Sequence, residues 1–286
     1  MTATPFSIRI FVADGDPEGL RIAERSNWVG KALAFPRSAL GRVMQRDELE
    51  YSGVYLLLGP TEKGEGDTLY IGETEQFRKR LGQHQKSDDK GFWSDTFCFT
   101  CSNGTLNKAQ IRYLEHRLVD KARKARRVMV KNGGNPSEPT LSEADRAEMD
   151  VFLSHMLDML PVLGVTAFEQ PVTPTTTETL LYIHTQKGIK ATGYQSSQGF
   201  VIQEGSQVVA DEVPSISVNM SQLRQELKNR DVIVESNGAW VFQQNYSFKS
   251  PSTAAAVVTG TSINGRTAWK TSAGKTLKAL QSEAGD

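Results

Sequence analysis

The stretch GVYLLLGPTEKGEGDTLYIGETEQFRKRLGQHQ, residues 53–85, decides the fold of the first half of the chain. Its two apolar runs, GVYLLLG and TLYIG, flank a loop rich in Gly, Lys and Glu, which predicts two buried strands of a hairpin. In the helix predicted next, Phe77 and Leu81 are spaced to face a core together. Arg80 and His84 lie one turn apart on a neighbouring face of the same helix. They could be ordinary polar residues of the helix surface or part of an active site.

The overall composition is that of a globular protein without net charge. The 286 residues are 38% hydrophobic and 23% charged, and 33 basic side chains balance 33 acidic ones. No apolar run is long enough to span a bilayer, and the first residues lack the pattern of a secretory signal. With two cysteines there is no disulfide framework. We therefore expect a cytoplasmic protein without a membrane partner, and its oligomeric state is left open.

Further elements are predicted on both sides of the opening stretch. SIRIFVA and GLRIAERS predict two N-terminal strands joined by a turn, and DTFCFT predicts a strand after the short helix. Thr74 is placed to cap that short helix. Asn107 is placed to cap a long amphipathic helix over residues 108–129, and Ser142 a second one over residues 143–160.

Two short sequence motifs match only part of a known binding-site pattern. Cys98 and Cys101 form a lone C-x-x-C on a predicted strand, where residues three apart point to opposite faces, and no second cysteine pair completes a zinc site. AGKT at residues 273–276 has the end of a phosphate-binding loop, but Trp269 stands where the first glycine is required. Neither motif therefore predicts a site.

Several residues of the opening stretch together resemble the motif of the GIY-YIG nuclease superfamily. The strand pair that names the family is matched by Gly53-Val54-Tyr55 and Tyr70-Ile71-Gly72, with Val54 in place of Ile. Beyond this pair, the residues at positions that match the family pattern are Arg80, His84, Glu115 and an asparagine, which is either Asn132 or Asn135.

The resemblance implies a metal-dependent DNA endonuclease that uses one divalent ion, Mg²⁺ or Mn²⁺, held by Glu115. Arg80 would then bind a nonbridging phosphate oxygen. A free tyrosine has a pKa of about 10 and needs help to act as a base near neutrality. We expect Tyr55 to be the general base, with His84 accepting its proton or holding its hydroxyl. Tyr70 would orient the water or the phosphate, and the two tyrosines could exchange roles. RNA is not excluded as the substrate.

Charge is unevenly distributed along the two long helices. Residues 104–135 hold nine Lys and Arg against two acids, whereas residues 138–158 hold six acids and one arginine. The basic run would supply contacts to phosphates, which carry affinity without reading sequence. The residues expected to make these contacts are Lys108, Arg112, Lys121, Arg123, Lys124, Arg126 and Arg127.

The expected fold class is α/β (α+β): a small mixed sheet flanked by helices, followed by a separate α+β module. SPSTAAAVVTG and SINGRTAWK resemble an uncharacterised module appended to GIY-YIG proteins and linked to restriction and modification systems. The alternative function is a catalytically idle nucleic-acid-binding regulator that keeps the fold. The predicted boundaries are a strand-turn extension at 1–47, the nuclease domain at 48–165, a Pro/Thr-rich linker at 166–179 and the C-terminal module at 180–286.

Overall fold

The computed structural model describes residues 5–61, 66–87, 91–134, 136–169, 178–186, 188–197 and 199–283. The described residues fall into two compact units, one ending at Glu169 and one beginning at Glu178. Most of the predicted linker lies outside the described residues, because 170–177 are not among them. Each unit has its own hydrophobic core.

The N-terminal unit is built on one seven-stranded sheet. Its strands are β1 (Ile8–Val12), β2 (Arg21–Arg25), β3 (Gly30–Pro36), β4 (Gly53–Pro60), β5 (Asp67–Thr74), β6 (Asp95–Cys101) and β7 (Met129–Val130). They are arranged in the order β1-β2-β3-β6-β4-β5-β7, and only the β5–β7 pair is parallel. The mixed sheet confirms the predicted class. It is larger than expected because the N-terminal strands join it through β3 and β6.

The helices of this unit are α1 (Leu40–Val43), α2 (Phe77–Lys86), α3 (Lys108–Ala125) and α4 (Glu143–Met159). Asn107 and Ser142 cap α3 and α4 as predicted. Thr74 does not cap α2: the cap position is Gln76, and the Thr74 hydroxyl accepts the Gln76 N–H over 3.1 Å. Helix α3 ends four residues earlier than predicted, because Arg126 adopts left-handed backbone with φ of 51°.

The sheet separates two cores. On one face, Phe77 and Leu81 of α2 pack in the same cluster as Leu57 of β4; on the other, α3 and α4 pack against alternate residues of β4 and β5. Burying such a side chain contributes about 1.5–3 kcal/mol, so the two faces of each strand are fixed by packing. Cys98 and Cys101 are free thiols in opposite cores, which confirms that they face away from each other.

The C-terminal unit is an α+β fold with two small sheets. Its elements are β8 (Leu181–His184), β9 (Lys190–Ser196), β10 (Gly199–Ile202), β11 (Gln207–Val208), α5 (Val218–Asn229), β12 (Ile233–Ser236), β13 (Ala239–Phe242), β14 (Tyr246–Phe248), α6 (Pro251–Thr259), α7 (Gly265–Ala268) and α8 (Leu277–Glu283). The four-stranded sheet has the order β14-β10-β9-β8, and the three-stranded sheet has the order β11-β13-β12. Trp269 is fully buried in the core of this unit.

No helix in the described ranges of either unit is both long and apolar enough to cross a bilayer.

Candidate active site

Four of the predicted site residues meet on the α2 side of the sheet, and we call them the tyrosine–histidine cluster: Tyr55, Tyr70, Arg80 and His84. The Tyr55 hydroxyl on β4 lies 2.7 Å from Nε2 of His84 on α2. Arg80 donates from Nε to the same hydroxyl oxygen over 3.1 Å. The ring of Tyr70 on β5 is centred 6.2 Å from that of Tyr55 and 5.7 Å from that of His84. A hairpin and the helix that follows it thus bring all four together.

Two glycines of the motif make room for this arrangement. Gly72 lies opposite Tyr55 in the β4–β5 register, and a Cβ at Gly72 would collide with the Tyr55 ring and hydroxyl. A Cβ at Gly53 would collide with the carbonyl oxygen of Phe99 and the ring of Phe77. Both glycines are therefore required by close approach of neighbouring groups rather than by their backbone angles.

The cluster is mostly shielded from water. Tyr55 is fully buried, His84 is 5% exposed, and Tyr70 is partly exposed. Burial raises the pKa of Tyr55, and Tyr70 raises it further against the opposing effect of Arg80. Tyr55 is consequently protonated near neutral pH, and its hydroxyl can donate to Nε2 of a neutral His84 while accepting from Arg80.

The outer edge of β5 carries the remaining site residues. Strand β7 pairs with β5 only as far as Leu69. At Ile71 the side chain of Asn132 replaces the missing strand: its Oδ1 accepts the Ile71 N–H over 3.1 Å and its Nδ2 donates to the Ile71 carbonyl over 2.7 Å. At Glu73 the backbone lies beside the Glu115 carboxylate of α3, and it lowers the pKa of that carboxyl against the larger effect of burial. Glu115 thus lies at the open edge of β5, one residue beyond Gly72.

Glu115 combines partial burial with a neighbouring negative charge. Burial raises the pKa of its carboxyl to about 6, and the Glu73 carboxylate adds to this against Lys108 and Arg112. Lys108 forms a 2.9 Å ion pair with Glu73. Carboxylate oxygens of this kind are the ligands that a hard divalent cation prefers, and such a cation would relieve the repulsion between the two acids.

Any such ion would depend largely on water for its ligands. In the part of the chain that the structure describes, no three His, Cys, Asp or Glu side chains form a group that could hold a metal. Mg²⁺ usually keeps several waters and takes only one or two carboxylates from the protein. The residues present at the edge of β5 therefore fit Mg²⁺ or Mn²⁺ bound mostly through water.

Of the two candidate asparagines, Asn132 lies within the described residues and Asn135 lies outside them. The backbone carbonyl of Asn132 accepts from Arg123 of α3 over 2.9 Å. Asn132 therefore joins β5, through its side chain, to the helix that carries Glu115.

The seven basic residues predicted to contact phosphates lie on α3 and in the turn after it. Lys108 and Lys124 pair with carboxylates, Arg112 with a serine hydroxyl and Arg123 with loop carbonyls. Lys121, Arg126 and Arg127 are partly exposed near the C-terminal end of the helix, and Arg126 and Arg127 also interact with other groups. As phosphate contacts, all seven stay predictions.

Two residues beside the site, Glu73 and Trp93, were not predicted from the sequence. Glu73 directly follows the Tyr70-Ile71-Gly72 run, and that adjacency was the available signal. The ring of Trp93 lies 6.4 Å from the His84 ring at an interplanar angle of 88°, and Trp93 is 2% exposed. Only tertiary packing places Trp93 there, because it belongs to the segment before β6.

Comparison with known proteins gives a match for each unit. The family model of the GIY-YIG catalytic domain matches residues 51–128, and that of DUF4357, a domain of unknown function, matches residues 181–281. The first match includes the whole tyrosine–histidine cluster and Glu115. The two matches confirm the GIY-YIG resemblance and the appended C-terminal module, and the link of that module to restriction and modification systems stays a prediction. No curated protein and no solved structure matches the chain significantly.

Proposed function

Because the chain carries a GIY-YIG catalytic domain, the catalytic domain of a nuclease family, followed by a DUF4357 domain, we propose that it is a metal-dependent endonuclease that hydrolyses phosphodiester bonds in DNA. The observation that carries this proposal is the position of the Tyr55 hydroxyl, 2.7 Å from His84 and 3.1 Å from Arg80. An oxygen bonded to an imidazole on one side and a guanidinium on the other offers a path for a proton beside a group that binds phosphate.

The attacking water has to lose a proton near neutral pH. Burial raises the pKa of Tyr55, so a pre-formed phenolate is not available as the base. We propose a concerted transfer, in which the Tyr55 proton moves to Nε2 of His84 while the Tyr55 oxygen accepts the proton of the water. Tyr70 is the more exposed of the two tyrosines and would orient that water.

The phosphate needs charge stabilisation as well as an activated water. Arg80 would bind a nonbridging oxygen and stabilise the charge that develops in the transition state. Glu115 would hold Mg²⁺ or Mn²⁺, which when bound acts as a Lewis acid toward the phosphate and the leaving oxygen. Asn132 would act as a positioning residue, because it ties β5 to the helix of Glu115.

The proposal is tested by nicking of supercoiled plasmid in Mg²⁺ or Mn²⁺. The wild type should nick only with metal, and Tyr55→Phe and Glu115→Ala should each lower the rate by about 10²-fold or more. Matched controls are Glu148→Ala, an exposed glutamate on α4, and Tyr182→Phe in the C-terminal unit. Thermal unfolding of every variant separates loss of chemistry from loss of fold.

Three results would change the conclusion. Equal nicking by the wild type and Glu115→Ala would reject the metal site. Salt-sensitive DNA binding without cleavage by the wild type would favour the idle regulator instead. Faster cleavage of a structured RNA than of plasmid, measured in parallel, would reject DNA as the substrate.

A further inference from the structure

We infer that two copies of this chain form a symmetric dimer through strand β1, pairing antiparallel around Ile10 so that their sheets join edge to edge. This inference does not depend on the proposed nuclease activity. The whole of β1 lies outside residues 51–128, so the surface is not part of the segment that the catalytic domain matches.

Strand β1 is an edge of the seven-stranded sheet that lacks the usual protection. Within the described residues it pairs with β2 and with no other strand. All five of its residues pair in unbroken register, so no bulge bends the edge away, and its sequence IRIFV contains no proline and no lysine. Bulges, prolines and lysines are among the features by which exposed edges normally avoid pairing with another chain.

The opposite edge of the same sheet is protected. Strand β7 has only two residues. Beyond it, the Asn132 side chain already occupies the backbone N–H and carbonyl of Ile71. Of the two edges, β1 is therefore the one that can accept another strand.

Apolar side chains of β1 are exposed on both faces of the sheet. Ile10 is 39% exposed and Phe11 is 58% exposed. Phe11 lies opposite Ile22, which belongs to the core on the α2 side. Ile10 lies opposite Ala23, which belongs to the core on the α3 side. A strand added at this edge would cover apolar surface on both faces, and removal of such surface from water favours association.

The backbone groups that face the open edge belong to alternate residues of β1. Just past the strand, the Ala13 N–H donates to the Leu20 carbonyl over 2.9 Å, so the backbone of Ala13 points toward the β2 side. Residues of an antiparallel strand direct their backbone N–H and C=O groups alternately to its two edges. The groups of Ile8, Ile10 and Val12 therefore point away from β2, toward the open edge.

A second copy of β1 fits this edge with two-fold symmetry. When Ile10 pairs with Ile10 of the second copy, Ile8 pairs with Val12 of the second copy, and Val12 pairs with the other Ile8. Each of these pairs exchanges two backbone hydrogen bonds, because both of its members direct their groups across the interface. Their side chains share one face of the sheet, where β-branched apolar residues lie opposite each other and stabilise the pairing. The register centred on Ile10 is the one that pairs the five residues of β1 entirely with one another.

The single charge of β1 is also accommodated. Arg9 of one copy lies opposite Phe11 of the other, in a pair whose backbone groups point away from the interface and whose side chains are therefore closer. A guanidinium over a phenyl ring is a favourable cation–π contact. Glu24 lies opposite Arg9 on β2, so each arginine also has an acid in register on its own copy. A register centred on Arg9 would instead place two like charges directly opposite each other, which is destabilising.

The dimer should be weak and should stop at two copies. Five residues from each copy are well below the roughly 20–30 residues per side of a standard interface, so we expect a dissociation constant on the order of 10 µM or weaker. A two-fold pair uses the open edge of both copies, and closed symmetry of this kind does not propagate into fibres.

The inference is tested by sedimentation equilibrium of the full chain over about 1–300 µM. The mass of the wild type should rise from 31.6 kDa toward twice that value as the concentration increases. Ile10→Lys and Ile10→Glu each place like charges directly opposite one another, so each variant should remain at 31.6 kDa. An equimolar mixture of the two should recover the association, because the opposing charges then differ in sign. Val151→Lys, at an exposed apolar position of α4, is the matched control and should associate like the wild type.

Thiol crosslinking tests the register. Hydrogen-bonded pairs have Cα atoms about 5.5 Å apart, within the range that a disulfide spans, so Ile10→Cys should give a covalent dimer under mild oxidation. Phe11→Cys should crosslink far more slowly although its position is the more exposed, because Phe11 lies opposite Arg9 of the second copy. The native thiols of Cys98 and Cys101 are buried and should give little background.

Three results would overturn the inference. They are a wild type that stays monomeric at the highest concentration, a mixture of Ile10→Lys and Ile10→Glu that does not associate, and crosslinking of Phe11→Cys as fast as that of Ile10→Cys. The proposed nuclease function is judged separately, because nicking of plasmid is measured in a different assay.

Discussion

The two sides of strand β5 build the candidate site by different means. On the α2 side, Tyr55 and His84 are buried and share one hydrogen-bond network with Arg80. At the outer edge, Glu115 and Glu73 are neighbouring carboxylates, Lys108 pairs with Glu73, and Asn132 is hydrogen-bonded to the Ile71 backbone. Core packing thus fixes the group that we propose to move a proton, and a few exchangeable polar contacts fix the group that we propose to hold a cation.

This division has energetic consequences. Displacing a buried ring disturbs many close contacts, whereas an edge hydrogen bond contributes about 1 kcal/mol net. Elements with few buried contacts open first in native-state fluctuations. We therefore expect substitutions on the α2 side to act mainly on chemistry and folding, and substitutions at the edge to act mainly on metal affinity.

The largest effect is expected within the tyrosine–histidine cluster. Tyr55→Phe and His84→Ala should each slow single-turnover nicking by about 10²- to 10⁴-fold, because each breaks the proton path. The double variant should be no slower than the slower single variant, since groups that act as a unit lose their effect together. Losses that multiply in the double variant would mean that the two residues act independently.

Next in size is the effect of Gly72→Ala. The new Cβ would collide with Tyr55, so we expect a loss of about 1–3 kcal/mol in unfolding free energy together with most of the activity. Gly41→Ala is the matched control, because a Cβ there meets nothing within 4 Å and Gly41 is an exposed position of helix α1. Urea unfolding should find Gly41→Ala more stable than wild type by about 0.4–1 kcal/mol. Equal stability of both variants would contradict the packing argument.

The effect on activity is expected to be smaller at Asn132 than at Gly72. Asn132→Ala removes both hydrogen bonds to Ile71, so unfolding should become easier by about 1–3 kcal/mol. Asn132→Asp keeps the acceptor for the Ile71 N–H and should be intermediate. In nicking assays the required Mg²⁺ concentration should rise while the pH–rate profile keeps its shape. A changed profile with unchanged Mg²⁺ dependence would instead assign Asn132 to the proton path.

The smallest effect is the pH dependence that Glu115 contributes to stability. Burial raises the pKa of this carboxyl from 4.5 to about 6 in the folded protein, with Glu73 adding to it. The native state therefore binds more protons than the unfolded state between these values, and the free energy of unfolding falls as pH rises from about 4.5 to about 6, then stays constant. Because Glu115 is partly exposed, we expect no more than about 1 kcal/mol after allowing for screening.

Urea unfolding without metal between pH 4 and pH 7 measures this difference against Glu115→Gln, which cannot titrate. Other carboxyls contribute with the opposite sign, among them Glu48, whose pKa is lowered by Arg46 against the effect of burial. These contributions are common to both proteins and cancel in the difference. Coincident curves would show that Glu115 is solvated like an ordinary surface carboxylate.

The sequence predicts the site residues on the α2 side of β5 more completely than those at the outer edge of this strand. A hairpin and the next helix place Tyr55, Tyr70, Arg80 and His84 through local periodicity, within thirty residues of one another. The edge depends on contacts between distant segments, such as the bond between Asn132 and Ile71 across 61 residues. Family resemblance supplied Glu115, but no pattern predicts that Glu73 lies beside it.

The remaining differences have local causes. Strand β3 has no counterpart among the predictions, because its residues are buried on both faces and lack the alternation of a half-buried strand. The sequence predicts an end of α3 that is four residues later than the observed one. The residue that ends a helix in the left-handed conformation is usually glycine, so an arginine at this position gives no reliable sequence signal.

The pairing of β3 with β6 sets a lower limit on the size of a self-sufficient nuclease fragment. All seven residues of β3 pair with β6, so a fragment starting at residue 51 would expose the backbone of β6 along its whole length. β6 would then be an exposed edge strand with Phe97, Cys98 and Phe99 in its centre, which is a template for joining another chain edge to edge. We therefore expect a fragment limited to the matched residues 51–128 to self-associate, and one that includes β3 to do so less.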